Sequence, residues 1–449
     1  NMQIQDWRDL ERLVLAKDFK SVKAELPAFQ DADIAAFMDE LSGEHVVIVF
    51  RLLPKDRAAE VFSYLSIEMQ EHIVRAITDQ EVASIIEQLF VDDAADFLEE
   101  LPASVVKRVL RNASPATRDL INQFLQYPPY SAGSIMTAEF ADLKKTMTVA
   151  DAFKRIRRTA LDKETVYTCY VIDANRRLEG VVTVKELFLA DEDAIIRDIM
   201  ETNVIAARTS DDQEDVAALF SRYDFLSLPV VDEENRLVGI ITFDDIMQVI
   251  HQEATEDFQK MAAMAPSEKP YLKTSVLALA KNRILWLLFL MITGMIVGAI
   301  LGRYEEAFVA LPILVTFVPM LTDTGGNAGS QSSTLVIRGM ALKEITTKDF
   351  GRVFLKELGV SVLVGLALGA ANFVRLIITY PGDYMMAVVV SLALFVTVLI
   401  GKTAGGMLPM LAKIVKADPA IMAAPLITTI VDAGALIIYF KFVEALLLK

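Results

Sequence analysis

The rhythm of hydrophobic and polar positions changes twice along this 449-residue chain. From residue 3 to 125, apolar residues recur every three or four positions among charged ones, with few breakers, which predicts amphipathic helices. From Tyr127 to Ile246, runs rich in Val and Ile alternate with helical stretches, which predicts α/β units. After Lys281 come five long apolar segments. Ile284–Gly302, Leu358–Val374 and Tyr384–Gly401 carry no charge. Ala307–Ile337 is interrupted only by Asp323, and Pro419–Phe440 only by Asp432. A bilayer span takes about 20 residues, so five crossings are expected, some drawing on flanking residues. The expected fold is multidomain: an α-helical superhelical N domain (1–126), two α/β modules (127–193 and 194–246), a linking helix (247–270) and an all-α membrane domain with five transmembrane helices (271–449).

Two internal repeats refine this picture. "DRAAEVFSYL" from Asp56 echoes "DDAADFLEEL" from Asp92, a shift of 36 that suggests helical-hairpin units in a small superhelix. A clearer repeat matches "YVIDANRRLEGVVTVKEL" from Tyr170 with "PVVDEENRLVGIITFDDI" from Pro229. Asp173 and Asp232 are 59 apart, as are Gly180 and Gly239. Each unit reads strand, polar turn, strand, helix, after an Ile-Met pair (Ile135-Met136 and Ile199-Met200). This resembles a tandem pair of cystathionine-β-synthase (CBS) modules, which commonly sense adenine nucleotides or ions. Thr242 and Asp245 supply the Thr-x-x-Asp pattern associated with ribose recognition in such modules. The first repeat has Thr183 and Glu186 instead, so the resemblance places an ATP-type site in the second.

Charge separates the halves. Before Tyr271 there are 50 acids against 29 bases, a net of −21; from Tyr271 onward, 10 acids face 15 bases, a net of +5. Four glycines lie in the first part and 16 in the second. An acidic soluble body argues against nucleic acid and towards cationic partners, although acidity also serves solubility. Cys169 is the only cysteine, so no intrachain disulfide forms and a reducing cytoplasm fits. The N-terminal stretch has no signal-peptide core. Lys281, Arg283, the five bases from Arg338 to Lys356, Lys413 and Lys416 collect on one side of the five spans, against Arg303, Arg375, Lys441 and Lys449 on the other. By the positive-inside rule the soluble region is cytoplasmic and the C-terminus extracytoplasmic, in a bacterial-type inner membrane. Lys402, near the inner end of the fourth span, is expected to snorkel.

The second span contains "LTDTGGNAGSQSSTL", where Asp323, Asn327 and Gln331 recur every four residues. On a helix they form one polar stripe, while Gly325, Gly326 and Gly329 allow another backbone close. Pro312 and Pro319 are expected to disturb this helix. In the fifth span Asp432 lies 13 residues after Pro419, with Thr428 one turn before it, and Pro425 is expected to break the bond to the Ile421 carbonyl. A charged carboxylate at mid-bilayer costs about 2.5–3.5 kcal/mol, so it marks a cavity, a partner or an ion path. The bland alternative is a neutral carboxyl hydrogen-bonded between helices. For Asp323 a further alternative is a place near the outer surface. Carboxylate, amide and carbonyl oxygens suit magnesium, calcium or manganese, and no His or Cys follows His251 to hold zinc or copper. A twofold dimer brings two Asp432 side chains to one axis.

The order of helical acidic domain, paired CBS modules, linking helix and five spans resembles the MgtE family of magnesium channels over essentially the whole chain. Its marks are "YPPYSAGSIMT" (Tyr127–Thr137), "EATED" (Glu253–Asp257), "TGGNAGSQ" (Thr324–Gln331) and "DPA" (Asp418–Ala420). The resemblance implies a homodimer in the lipid bilayer that admits Mg2+ and closes when cytosolic Mg2+ is plentiful. It implies pore roles for Asp432, for Gly325, Gly326 and Asn327, and for Asp418 at the inner mouth. It implies regulatory ligands at Glu60, Asp92 and Asp96, and at Asp212, Glu214, Asp224, Asp245, Glu253, Glu256 and Asp257. Gln248 is neutral where some members carry an acid, so that site is expected to be weaker or missing. A proton-coupled divalent-cation carrier with Asp432 as coupling group is the rival reading. A CBS-bearing chloride channel conflicts with a carboxylate at the pore centre. No HExxH or nucleophile–base pair at recognisable spacing supports an enzyme.

Overall fold

Short polar breaks cut the first 125 residues into helices of two to three turns. The computed structural model describes residues 4–99, 101–267, 271–272, 274–422 and 424–448, and these fall into two units, Asn1–Val249 and Ile250–Lys449. Among the described residues the N-terminal region holds ten helices. They are α1 (Ile4–Leu15), α2 (Phe19–Glu25), α3 (Asp31–Glu40), α4 (Gly43–Leu52), α5 (Lys55–Ser63), α6 (Ile67–Ala76), α7 (Asp79–Ile86), α8 (Val91–Glu99), α9 (Ala103–Asn112) and α10 (Pro115–Phe124). α5 and α8 start 36 residues apart, as the sequence echo requires. Phe62 of α5 stacks edge-on to Phe97 of α8, with centroids 5.0 Å apart, so the two echo units share one core. Thr78 caps α7 in a reciprocal box with Glu81, and Ser114 caps α10 ahead of Pro115, satisfying amides the helices leave free. Arg57 and Arg108 pin neighbouring loops: each guanidinium pairs with an acid (Asp31, Asp79) and donates to main-chain carbonyls (Phe29, Ile77) at 2.7 Å.

The α/β repeat folds as two three-stranded sheets of one topology. β1 (Phe140–Leu143), α11 (Val149–Thr159), β2 (Thr165–Ile172), β3 (Leu178–Thr183) and α12 (Val184–Leu189) form the first; α13 (Ile196–Ile199), β4 (Ala207–Arg208), α14 (Gln213–Tyr223), β5 (Ser227–Val231), β6 (Leu237–Thr242) and the start of α15 (Phe243–Met261) form the second. In each sheet the first pair is parallel and the second antiparallel. Asp173 and Asp232 each accept two main-chain amides within their turns, which explains their equal spacing. The Ile-Met segments cross over. Thr137 bridges to Ile240 of the second module, and Glu201 to Val181 of the first. A Cβ on Gly239 would sit 2.7 Å from Met136 Sδ and Thr137 O, and one on Gly180 2.9 Å from Met200 Sδ and Glu201 O. Both glycines are therefore dictated by a backbone that passes close overhead. Tyr170 and Ser227 share a buried 2.7 Å hydrogen bond between the modules.

α15 stops at Met261, inside the 247–270 segment read from sequence as the linking helix, and Ala263 takes a left-handed conformation (φ 53°). Residues 268–270, the end of that segment, lie outside the described residues. The membrane unit continues with α16 (Val276–Gly302), α17 (Glu305–Ala310), α18 (Val318–Ala341), α19 (Phe350–Thr379), α20 (Tyr384–Ile414) and α21 (Ala424–Leu446). α18 packs against α20 and α21, α19 against α20, and α16 against α21. Four stretches among the described residues are long and apolar enough to cross a membrane: Val276–Gly302, Thr347–Thr379, Tyr384–Ile414 and Pro419–Leu446. α18, at 24 residues, is long enough, but its polar stripe leaves it outside this set, so composition alone supports four spans where five were expected. The three prolines expected to disturb helices act at helix ends, whereas Pro409 lies inside α20. Pro312 opens a 3-10 turn (Pro312–Phe317) and Pro319 lies in the first turn of α18. Pro425 likewise falls in the first turn of α21, so no helical bond to Ile421 exists to be broken.

Candidate functional site

In the membrane unit, glycine decides how closely α18 approaches its neighbours. A Cβ at Gly325 would lie 2.5 Å from Thr397 Cγ2 of α20 and 2.7 Å from Val431 Cγ1 of α21. At Gly401 it would lie 2.5 Å from the Gly325 carbonyl oxygen, and at Gly405 it would collide with the Gly329 carbonyl oxygen. Small residues thus let α18 sit backbone-to-backbone on α20. The same approach sets Gly326 against Thr428, 3.1 Å from a built Cβ to Thr428 Cγ2. Asp432, one turn on, is part-buried, and its Oδ1 is enclosed without a hydrogen-bond partner among the described residues. Asp323 is near enough for its charge to act on Asp432. Asp323, Asn327 and Gln331 lie on one exposed face of α18, while Gly325, Gly326, Ala328 and Gly329 between them are buried.

Lys402 departs from the expectation that it snorkels. It is 5% exposed, and its Nζ donates to Gln331 Oε1 at 3.2 Å. The stem crosses towards α18 because the α18–α20 glycines bring the polar stripe within reach. Asp418 lies in the turn before α21, and its Oδ1 accepts from the Ala420 amide at 2.8 Å.

In the unit Asn1–Val249, the strand register gathers the acids. Phe140 of β1 pairs with Thr165 of the parallel β2, so Glu139 and Glu164, each one residue earlier, stand side by side. The Glu164 amide donates to the Glu139 carbonyl at 2.9 Å. Asp92 and Asp93 of α8 and Asp244 and Asp245 of α15 act on the same patch, and Glu60 adds to the field at Asp93. Burial first, and then repulsion headed by Asp245, pushes Asp93 up to about 7 and Glu164 to about 8. Burial raises Asp245 to about 6 against the opposing bond from Thr242, and Asp92 is raised well above the ordinary range. Asp92 Oδ1 is enclosed with no hydrogen-bond partner among the described residues. A cation meets this demand: an enclosed carboxylate oxygen with no hydrogen-bond partner among the described residues, beside acids that repel one another.

Not every expected ligand converges. Among the described residues, no three His, Cys, Asp or Glu side chains come together closely enough to hold a metal ion. Unscreened like charges keep apart, and magnesium, which retains its waters, requires only one or two direct carboxylates. Glu60 and Asp96 are exposed on α5 and α8. Asp212 caps the start of α14, accepting from the Glu214 amide at 2.9 Å, whereas Asp224 caps its far end in a left-handed conformation. Twelve helical steps put these two ends roughly 18 Å apart, so Asp212 and Asp224 of one chain do not share an ion. Glu253, Glu256 and Asp257 lie on one part-buried face of α15. Thr242 donates to Asp245, and Thr183 forms a capping box with Glu186, so both Thr-x-x-acid patterns cap helices whatever else they bind. Asp93, Glu139, Glu164 and Asp244 were absent from the sequence-based set. The signal for Glu139 and Glu164 was an acid just before each strand of a parallel pair, legible only once the register is known.

The raised acids give a stability prediction with a definite sign. Carboxylates near 4 in the unfolded chain but at about 6 to 8 when folded take up protons on folding. Their contribution is complete below about pH 4 and is lost as pH rises through 6 to 8. A fragment ending at Ser267, without divalent ions, is therefore expected to melt lower at pH 8 than at pH 6. Added Mg2+ is expected to raise the melting temperature more at pH 8. Thermal scans at both pH values check this; a larger Mg2+ effect at pH 6 would contradict it.

Known proteins match along the whole length. A family profile described as MgtE, divalent cation transporter, matches residues 318–442; one for the MgtE intracellular N domain matches 29–130; the CBS domain profile matches 132–193 and 196–252. A magnesium transporter MgtE of Thermus thermophilus is 38% identical over 442 residues, covering 98% of each chain. That of Bacillus subtilis is 33% identical over 429 residues, covering 96% of this chain and 94% of its own. The crystal structure of the cytosolic domain of the Mg2+ channel MgtE in complex with ATP superposes with a TM-score of 0.52 at 39% identity, covering 54% of this chain and 99% of that one. The soluble part of a magnesium transporter gives a TM-score of 0.52 at 28% identity, covering 56% of this chain and 98% of that one.

Proposed function

Because the chain belongs to the MgtE family of magnesium transporters, we propose that it passes Mg2+ along the polar face of α18 beside Asp432, under control of its acidic cytoplasmic unit. The observation that carries this reading is the pairing of an enclosed Asp432 Oδ1, unpartnered among the described residues, with an exposed Asp323–Asn327–Gln331 stripe on an otherwise apolar body. Neither suits lipid. A second copy facing the stripe across a twofold axis makes a polar passage with two Asp432 carboxylates. Oxygen ligands alone suit a hard divalent ion, and an ion that sheds water reluctantly is held through its waters. In this reading α18 is a fifth, polar crossing beside the four apolar ones, so that the acidic unit lies inside and the C-terminus outside.

Regulation follows from the acidic patch. At low Mg2+ the carboxylates of Asp92, Asp93, Glu139, Glu164 and Asp245 repel one another; at high Mg2+ ions bridge them and draw the domains together. The remaining acids, Glu60, Asp96, Asp212, Glu214, Asp224, Glu253, Glu256 and Asp257, serve as further weak ligands. Moving a two-state gate from 1:99 to 99:1 takes about 5.5 kcal/mol, which several such sites can share. ATP is assigned to the second CBS module at Thr242 and Asp245. The proton-coupled carrier, with Asp432 as coupling group, is separated by its strict dependence on a pH gradient, where the channel gives single-channel currents at fixed voltage.

The gating test is Asp92→Ala with Asp96→Ala. The double variant is expected to keep conducting at cytosolic Mg2+ that shuts the parent, with the half-closing concentration raised roughly tenfold, about 1.4 kcal/mol of lost differential binding. Patch recordings over a Mg2+ series decide it; identical closing curves would remove this pair from the sensor.

A further inference from the structure

Lys260 stands on the last turn of α15 between two carboxylates that the family resemblance assigns to magnesium. Its Nζ lies 2.6 Å from Glu256 Oε1, one turn back, and 2.6 Å from Asp418 Oδ2, in the turn before α21. The Lys260, Glu256 and Asp418 side chains are only 21%, 38% and 30% exposed. The second Asp418 oxygen is already engaged by the Ala420 amide. Beside the bridge, Met261 packs with Ile337 and Ala420, so the end of α15 is seated on the membrane unit by polar and apolar contacts together. An ammonium in direct contact with both acids occupies the position a bridging ion would take.

We infer that Lys260 is a tethered cation that competes with Mg2+ for Glu256 and Asp418, seating the end of α15 without an ion and setting how much Mg2+ regulation requires. The inference rests on the regulatory reading above. One ammonium brings one positive charge and, although hydrated itself, sheds less water than a divalent ion would. A divalent ion brings two but keeps its waters, so it gains these acids only when Lys260 withdraws. Partly exposed ion pairs are individually weak, so the competition shifts a midpoint and does not abolish a response.

The test uses full-length protein carrying K260M, K260Q or K260R. The readouts are the Mg2+ concentration that half-protects the linking region from protease, and Mg2+ uptake at low cytosolic Mg2+. K260M and K260Q are expected to be protected at roughly three- to tenfold lower Mg2+ than the parent, with uptake at low Mg2+ retained. K260R keeps the charge and is expected to keep the parental midpoint. Where K260M fails to accumulate, K260Q carries the comparison. An unchanged or raised midpoint in both neutral variants overturns the inference alone, and so does a midpoint lowered equally in K260R. A parent showing no Mg2+-dependent protection overturns the regulatory reading and this inference with it.

Discussion

Asp432→Asn is expected to lower magnesium uptake by more than tenfold in cells that depend on this protein, while leaving its amount in the membrane unchanged. The amide keeps the size of the carboxylate and removes its charge. At about 4 to 5 Å, the reach of a carboxylate acting through one water, a divalent ion and one carboxylate attract by on the order of 7 kcal/mol at an effective dielectric of ~20. Losing even a fifth of that is about a tenfold effect. Folding should not suffer, because Asp432 Oδ1 has no hydrogen-bond partner among the described residues to lose. Uptake of Mg2+ against membrane abundance checks both halves of the expectation. Parental uptake in the variant would remove Asp432 from the path.

The second large effect concerns the glycine contact that builds the site. Gly405→Ala is expected to destabilise the membrane unit by about 1–3 kcal/mol or more, because the new Cβ meets the carbonyl oxygen of Gly329, a backbone atom that cannot swing aside. Gly298→Ala on α16 is the control: nothing lies within 4 Å of its built Cβ. Melting temperatures in detergent should fall clearly for the first and stay near parental for the second. Equal behaviour would mean that α18 and α20 are not in backbone contact.

What could be read from the sequence followed from periodicity. The i, i+4, i+8 spacing of Asp323, Asn327 and Gln331 fixed one helix face, and that face is exposed. The 59-residue repeat fixed two like modules, and their glycines mark where each Ile-Met segment crosses onto the other. Periodicity carries no information about pairs that meet only through tertiary packing. The Glu139–Glu164 juxtaposition needed the register of β1 on β2, and the Lys402–Gln331 bond needed the depth of the α18–α20 contact. The prolines were misread for a related reason. A proline bends a helix only when a helical turn precedes it, and Pro319 and Pro425 both fall in first turns.

Cysteine accessibility on the striped face tests the central claim most directly. With Cys169, the only native cysteine, replaced by Ser, Asn327→Cys lies on the stripe and Ile292→Cys on the exposed apolar surface of α16. A charged thiol reagent should modify the cysteine at 327, and millimolar Mg2+ should slow that reaction several-fold, while the cysteine at 292 remains unreactive. A cysteine at 327 that is inert, or that reacts at a rate Mg2+ does not change, would contradict an ion path along α18.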